Sequence, residues 1–213
     1  MSNKIRKRDA EASKEAIIKH ATMLFSEKGY TSASMDELAS RCGLNKAMVF
    51  YYFKNKKGLY EAVMTEILGE IYQTIKEENQ TQEQAEGALK SFVTTYARYA
   101  YAHPYLPALL LKELSDSGAV VPEVLFASMR QLFALFSEII KKGQASGVFG
   151  EAIPMVLYFM VLGTLNLMVT TTPLRQKAAQ MDDIEVDTCA GCDIDEISDY
   201  LYRSILNTLK EKR

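Results

Sequence analysis

At 213 residues, with 48% hydrophobic and 24% charged side chains, the chain has enough apolar material for a substantial core, which excludes general disorder. A formal net charge of −2 excludes a uniformly basic polymer-binder, but the average hides a division: residues 1–60 carry twelve Lys and Arg against six Asp and Glu, a net +6, and the remainder carries −8. Three cysteines (Cys42, Cys189, Cys192) are too few and too unevenly spaced for a secreted disulfide framework, and the basic opening Met1 to Arg8 lacks a secretory apolar run, so a cytoplasmic protein is expected.

Helical periodicity runs through the chain, and no alternation of apolar and polar residues lasts long enough to suggest a sheet. The expected fold is all-α with about nine helices: a three-helix helix-turn-helix domain over residues 1–56, then a larger helical domain over residues 57–213. A first helix is predicted from about Asp9 to Lys28, with Ala16, Ile17, Ala21, Leu24 and Phe25 as its apolar stripe and Gly29 as its stop. Ser34 to Glu37 has the form of a capping box, in which the Ser34 hydroxyl accepts from the Glu37 amide and the Glu37 carboxylate returns to the Ser34 amide. The short helix it starts turns Leu38, Ala39 and Cys42 inward and ends at Gly43. Asn45 then caps another short helix, Lys46 to Phe53. A fourth helix, about Lys57 to Glu78, leads through the polar stretch Glu77 to Glu86 into further helices near Gly87–Ala102, Pro104–Ser115, Pro122–Ala145, Ile153–Thr171 and Asp193–Lys210.

Two short helices joined by a tight glycine turn inside a basic segment point to duplex DNA. A helix about 10–12 Å across fits the roughly 12 Å major groove, with its first residues against base edges. In that pose Lys46 donates to guanine O6 and N7, Asn45 pairs with adenine or a phosphate, Ala47 permits close approach and Met48 touches a thymine methyl. Tyr51, Tyr52, Lys54 and Lys56 fall where phosphate contacts set register, and Ser34 offers a hydroxyl and helix-start amides to a phosphate. Phe50 and Phe53 are read as core.

The stretch Ser34 to Leu59 resembles the DNA-binding domain of the TetR family of bacterial regulators. The resemblance rests on Ala-Ser-Arg-Cys-Gly-Leu, Asn-Lys-Ala-Met and Phe-Tyr-Tyr-Phe-Lys-Asn-Lys in succession. His103-Pro104 and Gly143 to Phe149 are similar to features of the family's ligand domains. Two positions depart from the family pattern: Phe50 stands where a phosphate-binding tyrosine is usual and Tyr52 where histidine is usual, which hands that duty to Tyr51 and Tyr52. The resemblance implies a homodimer joined by the last two helices (about 153–171 and 193–210), one recognition helix per half-site of a palindromic operator, a cavity in each larger domain, and a repressor rather than an activator.

The larger domain is aromatic beyond the needs of a bundle. Phe92, Tyr96, Tyr99, Phe126, Phe133 and Tyr158 either fill a core or line a pocket for a small apolar or aromatic effector, oriented by Asn166 or a tyrosine hydroxyl. Phe136, Phe159 and Met160 add to the same set. No cofactor and no metal is expected, and no enzyme: there is no paired nucleophile and base, no phosphate-cradling glycine loop and no histidine cluster. His20 is read as an exposed helix residue and His103 as a helix terminator.

Two features support other readings. Cys189-Ala190-Gly191-Cys192 lies in an acidic run with Asp182, Asp183, Glu185, Asp187, Asp193, Asp195 and Glu196; it is a solvated loop, or a thiol-based redox or metal sensor that lacks the usual four zinc ligands. Ala152 to Leu174 is uncharged and long enough to cross a bilayer, which would suit a membrane-associated adaptor. Pro154, Asn166 and the threonines Thr164, Thr170, Thr171 and Thr172 favour a helix buried between protein surfaces, with no membrane partner.

Overall fold

The computed structural model describes residues 2–115, 123–180, 189 and 191–210, with backbone only for residues 2–9, 113–115, 124 and 125. These residues form ten helices and no strand: α1 Ser2–Ser32, α2 Met35–Cys42, α3 Lys46–Phe53, α4 Lys56–Gln80, α5 Ala85–Ala102, α6 Tyr105–Ser115, α7 Glu123–Ala145, α8 Pro154–Thr170, α9 Thr172–Ala178 and α10 Ile194–Lys210. They gather into two compact units, Met1–Gly69 with Ala108–Ala127, and Glu70–Pro107 with Ser128–Arg213. Asp182, Asp183, Glu185 and Asp187 of the acidic run, and Pro122, lie outside the described residues.

The first unit is built on the apolar stripe of α1. Ile17, Ala21, Leu24 and Phe25 are buried with Leu38 and Ala39 of α2, Val49 and Phe53 of α3, and Leu59, Tyr60, Val63 and Met64 of α4. Tyr60 meets Phe25 edge-on at 4.9 Å and Tyr30 at 5.0 Å between ring centroids, so an aromatic trio closes this core. Helical geometry breaks at Gly29, whose φ of 76° suits a residue without Cβ, and the chain then runs on to Ser32. Lys112 of α6 donates from Nζ to the Ser26 and Glu27 carbonyls near that break. The cation thereby satisfies acceptors that the end of a helix leaves without partners.

The second unit packs α5, α7, α8 and α10 around Phe92, Val93, Tyr96 and Ala97, Phe136 and Ile140, Leu157, Tyr158, Val161 and Leu165, and Leu201 and Ile205. The turn after α7 is seated by a small residue, because a Cβ on Gly143 would lie 2.0 Å from the Phe149 ring. The helix beyond the nine expected is α9: the predicted Ile153–Thr171 helix is followed by a separate short one, bent 61° from α8. Pro173 explains the bend: it has no N–H to continue the ladder, and its fixed φ suits a helix start. The hydroxyls of Thr170, Thr171 and Thr172 donate to the carbonyls of Asn166, Leu167 and Met168 and so close the end of α8. Among the described residues no single helix is long and apolar enough to cross a membrane.

Candidate nucleic-acid interface and effector core

Local chemistry positions α3. The Ser34 hydroxyl accepts from the Glu37 amide at 3.1 Å and starts α2; Gly43, at φ 64°, stops it in the left-handed region. Asn45 Oδ1 accepts from the Met48 amide at 2.8 Å and starts α3. The return arm of the expected capping box is replaced: the Glu37 carboxylate takes Lys28 Nζ at 2.7 Å and the Arg41 guanidinium at 2.9 Å. A carboxylate binds two cations more strongly than one neutral amide, which accounts for the difference. Arg41 also reaches Glu27 at 2.7 Å, so the network pins α2 to α1. The Arg41 bond holds the Glu27 carboxyl below its ordinary pKa, and the Lys28 bond does the same for Glu37.

With Val49 and Phe53 turned into the core, the opposite edge of α3 is left to solvent. Asn45, Lys46, Ala47 and Lys54 are exposed, Met48 and Tyr52 are half-buried, and Tyr51 is 79% exposed. Lys46 Nζ rests on the Asp36 carboxylate at 2.7 Å and lies 6.0 Å from the centre of the Phe50 ring. Lys54 ends the helix with a left-handed φ of 64°. Lys56 is differently engaged: Nζ donates to the Thr31 carbonyl at 3.0 Å and sits 4.7 Å from the Tyr30 ring centre, and burial lowers its pKa.

In the second unit, Tyr96 Oη donates to Asn166 Oδ1 at 2.8 Å in the middle of the core. Phe92, Phe136 and Phe133 surround Tyr158, with Phe133 at 5.4 Å and Phe136 at 5.7 Å between centroids. Tyr158 is 3% exposed, and its hydroxyl has no hydrogen-bond partner among the described residues. Burial raises the pKa of Tyr96 and of Tyr158, so both hydroxyls stay protonated at neutral pH. Tyr99 is also buried and donates to the Glu70 carboxylate at 2.8 Å. Phe126 does not join this cluster: it is 60% exposed and belongs to the other compact unit.

Residues 17–63 match the family described as bacterial regulatory proteins, tetR family, and residues 64–185 match the YsiA-like protein, C-terminal region. The chain belongs to the TetR family. It is similar to the HTH-type transcriptional repressor NicS of Pseudomonas putida (25% identity over 163 residues, 76% of this chain and 77% of that protein). It also resembles the HTH-type transcriptional repressor SCO4008 of Streptomyces coelicolor (26% over 171 residues, 79% and 84%). Among solved structures, the fatty acid degradation regulator FadR of Bacillus halodurans superposes with a TM-score of 0.73 at 20% identity, covering 94% of this chain and 97% of that one. FadR of Bacillus subtilis in complex with stearoyl-CoA gives 0.71 at 18%, covering 93% and 99%. These structural likenesses speak for the fold.

The chain is therefore a helix-turn-helix transcriptional regulator of the TetR family, and α2 and α3 are its DNA-binding motif. Sequence reasoning missed three side chains that tie elements of the chain together: Arg41, which joins α2 to α1, Lys112, which reaches the end of α1 from α6, and Arg175 of α9, which donates to the Met168 carbonyl of α8. Lys112 acts on carbonyls 85 and 86 residues away, and such a long-range contact leaves no local signature. Among the described residues no group of three or more His, Cys, Asp or Glu side chains converges to hold a metal ion.

Proposed function

We propose that the chain is a homodimeric, ligand-responsive repressor that reads a palindromic operator and is released by a small apolar or aromatic effector. The division follows the sequence reading: residues 1–56 read DNA, and residues 57–213 sense and pair. The observation that carries it is the free edge of α3, where Asn45, Lys46, Ala47 and Tyr51 stand out from a helix whose other side is core. On an operator Lys46 exchanges the Asp36 carboxylate for a guanine edge, Asn45 and Met48 reach neighbouring bases, and Tyr51, Tyr52, Lys54 and Ser34 take phosphates. Lys56, occupied by Thr31 and Tyr30, is left out of this set.

Pairing is supported by α8. Its outer side carries Val156, Phe159, Met160 and Leu167, all exposed, while Leu157, Val161, Leu162 and Leu165 are buried inside the subunit. A helix apolar on both sides calls for cover on both. A second copy, meeting it with α8 and α10, supplies that cover and sets two α3 helices at successive half-sites about 34–36 Å apart.

For the effector we propose the core around Phe92, Tyr96, Phe133, Tyr158 and Asn166, bordered by Tyr99. The unpartnered Tyr158 hydroxyl marks the point where a polar atom of the ligand would dock. Stearoyl-CoA, held by the Bacillus subtilis FadR structure, is the first probe to try.

The test is fluorescence anisotropy on a palindromic fragment from upstream of the gene. We expect affinity to fall by a logarithmic slope of about 0.9 per phosphate contact as salt rises. Absent or salt-insensitive binding at low ionic strength would overturn the DNA reading.

A further inference from the structure

We propose that Cys189 and Cys192 are a redox latch: a reversible dithiol–disulfide couple that holds the junction of α8, α9 and α10 when oxidised and frees it when reduced. The two cysteines are joined by a disulfide, with their Cα atoms 5.1 Å apart. The bridge spans only two intervening residues, so it removes little entropy from the unfolded chain, and fold stability is a weak reason for it. Accessibility argues the same way. Cys192 is exposed and Cys189 half-exposed, and a cavity of about 290 Å³ lined by Tyr101, Met168, Thr172, Arg175, Cys192 and Ile194 opens beside them. Exposed disulfides are the labile, regulatory ones, whereas structural bridges resist reduction.

The state of the bridge has a reader. Arg175, on α9, donates to the Cys189 carbonyl, to the Met168 carbonyl at 2.7 Å and to Thr172 Oγ1 at 3.2 Å. One guanidinium thus joins the last turn of α8, the first residue of α9 and the loop that leads into α10. Cys189 presents its carbonyl from a φ of 48°, a left-handed conformation that non-glycine residues rarely adopt. The small ring, closed also by the Cys192 amide on the Cys189 carbonyl at 3.3 Å, holds it there. Opened, Cys189 returns to ordinary backbone geometry and Arg175 loses that acceptor.

Formation of the bridge needs an oxidant, and a small soluble disulfide serves. The Cys192 thiolate attacks one of its sulfurs, that S–S bond breaks, and one thiolate leaves. The Cys189 thiolate then attacks Cys192 Sγ, the protein disulfide forms and the second thiolate leaves. Two cysteine thiols are oxidised, one soluble disulfide is reduced to two thiols, and the two protons end on those thiols. Any effect on DNA binding rests on the regulator reading above; the latch itself rests on these contacts alone.

To test it, the full chain is equilibrated across ratios of oxidised to reduced glutathione and free thiols are trapped by alkylation for intact mass analysis. Amide exchange and operator affinity are measured at both ends of the series. Cys189 and Cys192 should change together in one two-electron step while Cys42 stays free. Amides of α9 and of the first turn of α10 should exchange about tenfold faster in the reduced form, and operator affinity should shift by about fivefold or more. Cys192→Ser should show the fast exchange at every ratio, and Arg175→Lys should show it even when oxidised. Equal exchange in the two forms, or sulfurs that never interconvert as a pair, overturns the latch. Equal operator affinity overturns its coupling to DNA. A chain that keeps the exchange difference but binds no DNA in either form overturns the regulator reading instead.

Discussion

Helices α3 and α8 break the same rule in different ways. Each buries one side and leaves bulky side chains in water on the other, and what stands on the open side differs. On α3 it is Asn45, Lys46, Ala47, Tyr51 and Lys54, a basic and hydrogen-bonding edge with a small residue in its middle. On α8 it is Val156, Phe159, Met160 and Leu167, without a charge. An edge of the first kind is drawn to a polyanion and keeps its solvation when unbound; a side of the second kind gains only when another apolar surface removes it from water. Two helices of similar burial thus carry opposite expectations about partners, and composition of the exposed side is what separates them.

If that contrast is right, a charge on α8 is the most damaging single change. Phe159→Asp should leave the subunit folded, because the ring is 55% exposed, yet remove it from both halves of a symmetric interface. About half of each ring is left for the partner to bury, roughly 1–1.5 kcal/mol per subunit and about 2–3 kcal/mol for the pair, so the dimer dissociation constant should rise roughly thirtyfold to a hundredfold or more, as sedimentation measured against circular dichroism will tell. A dimer of unchanged strength would show that this side meets something else.

On α3 the expected losses are smaller and of another kind. Lys46→Ala should cost about 1–3 kcal/mol of operator affinity and relax discrimination at one base, with the melting temperature nearly unmoved, since its ion pair with Asp36 is exposed. Ser34→Ala removes the cap of α2 and should lower thermal stability by about 1 kcal/mol in the free protein. The smallest effect is expected at Lys56. Lys56→Met should cost roughly 0.5–1 kcal/mol of stability by losing Tyr30 and the Thr31 carbonyl, while the salt slope of DNA binding stays the same. A slope that falls by about one would return Lys56 to the phosphates.

The first unit was the more legible because its signals are local. Ser34, Gly43 and Asn45 each act on backbone within five residues, so a cap or stop can be read where it stands. The capping box failed only in the arm that two cations outbid: Arg41, four residues on along the same helix, and Lys28, nine residues back on α1, whose approach depends on how the two helices pack. The second unit depends on separations that one-dimensional patterns do not carry. Tyr96 and Asn166 are 70 residues apart, and the exclusion of Phe126 from their cluster could not be inferred from its aromatic character. The bend before α9 did have a signal in Pro173, placed where a helix can start but not continue.

From the sequence alone came the all-helical class, the helix-turn-helix and the basic edge of α3, because caps, stops and helical periodicity act over one or two turns of chain. Only the tertiary structure decided which aromatic side chains share a core, which side of α8 stays uncovered, and that Lys56 and Arg175 are tied to their own subunit. Those outcomes follow from which surfaces exclude water together, and burial is a property of the folded chain rather than of any segment.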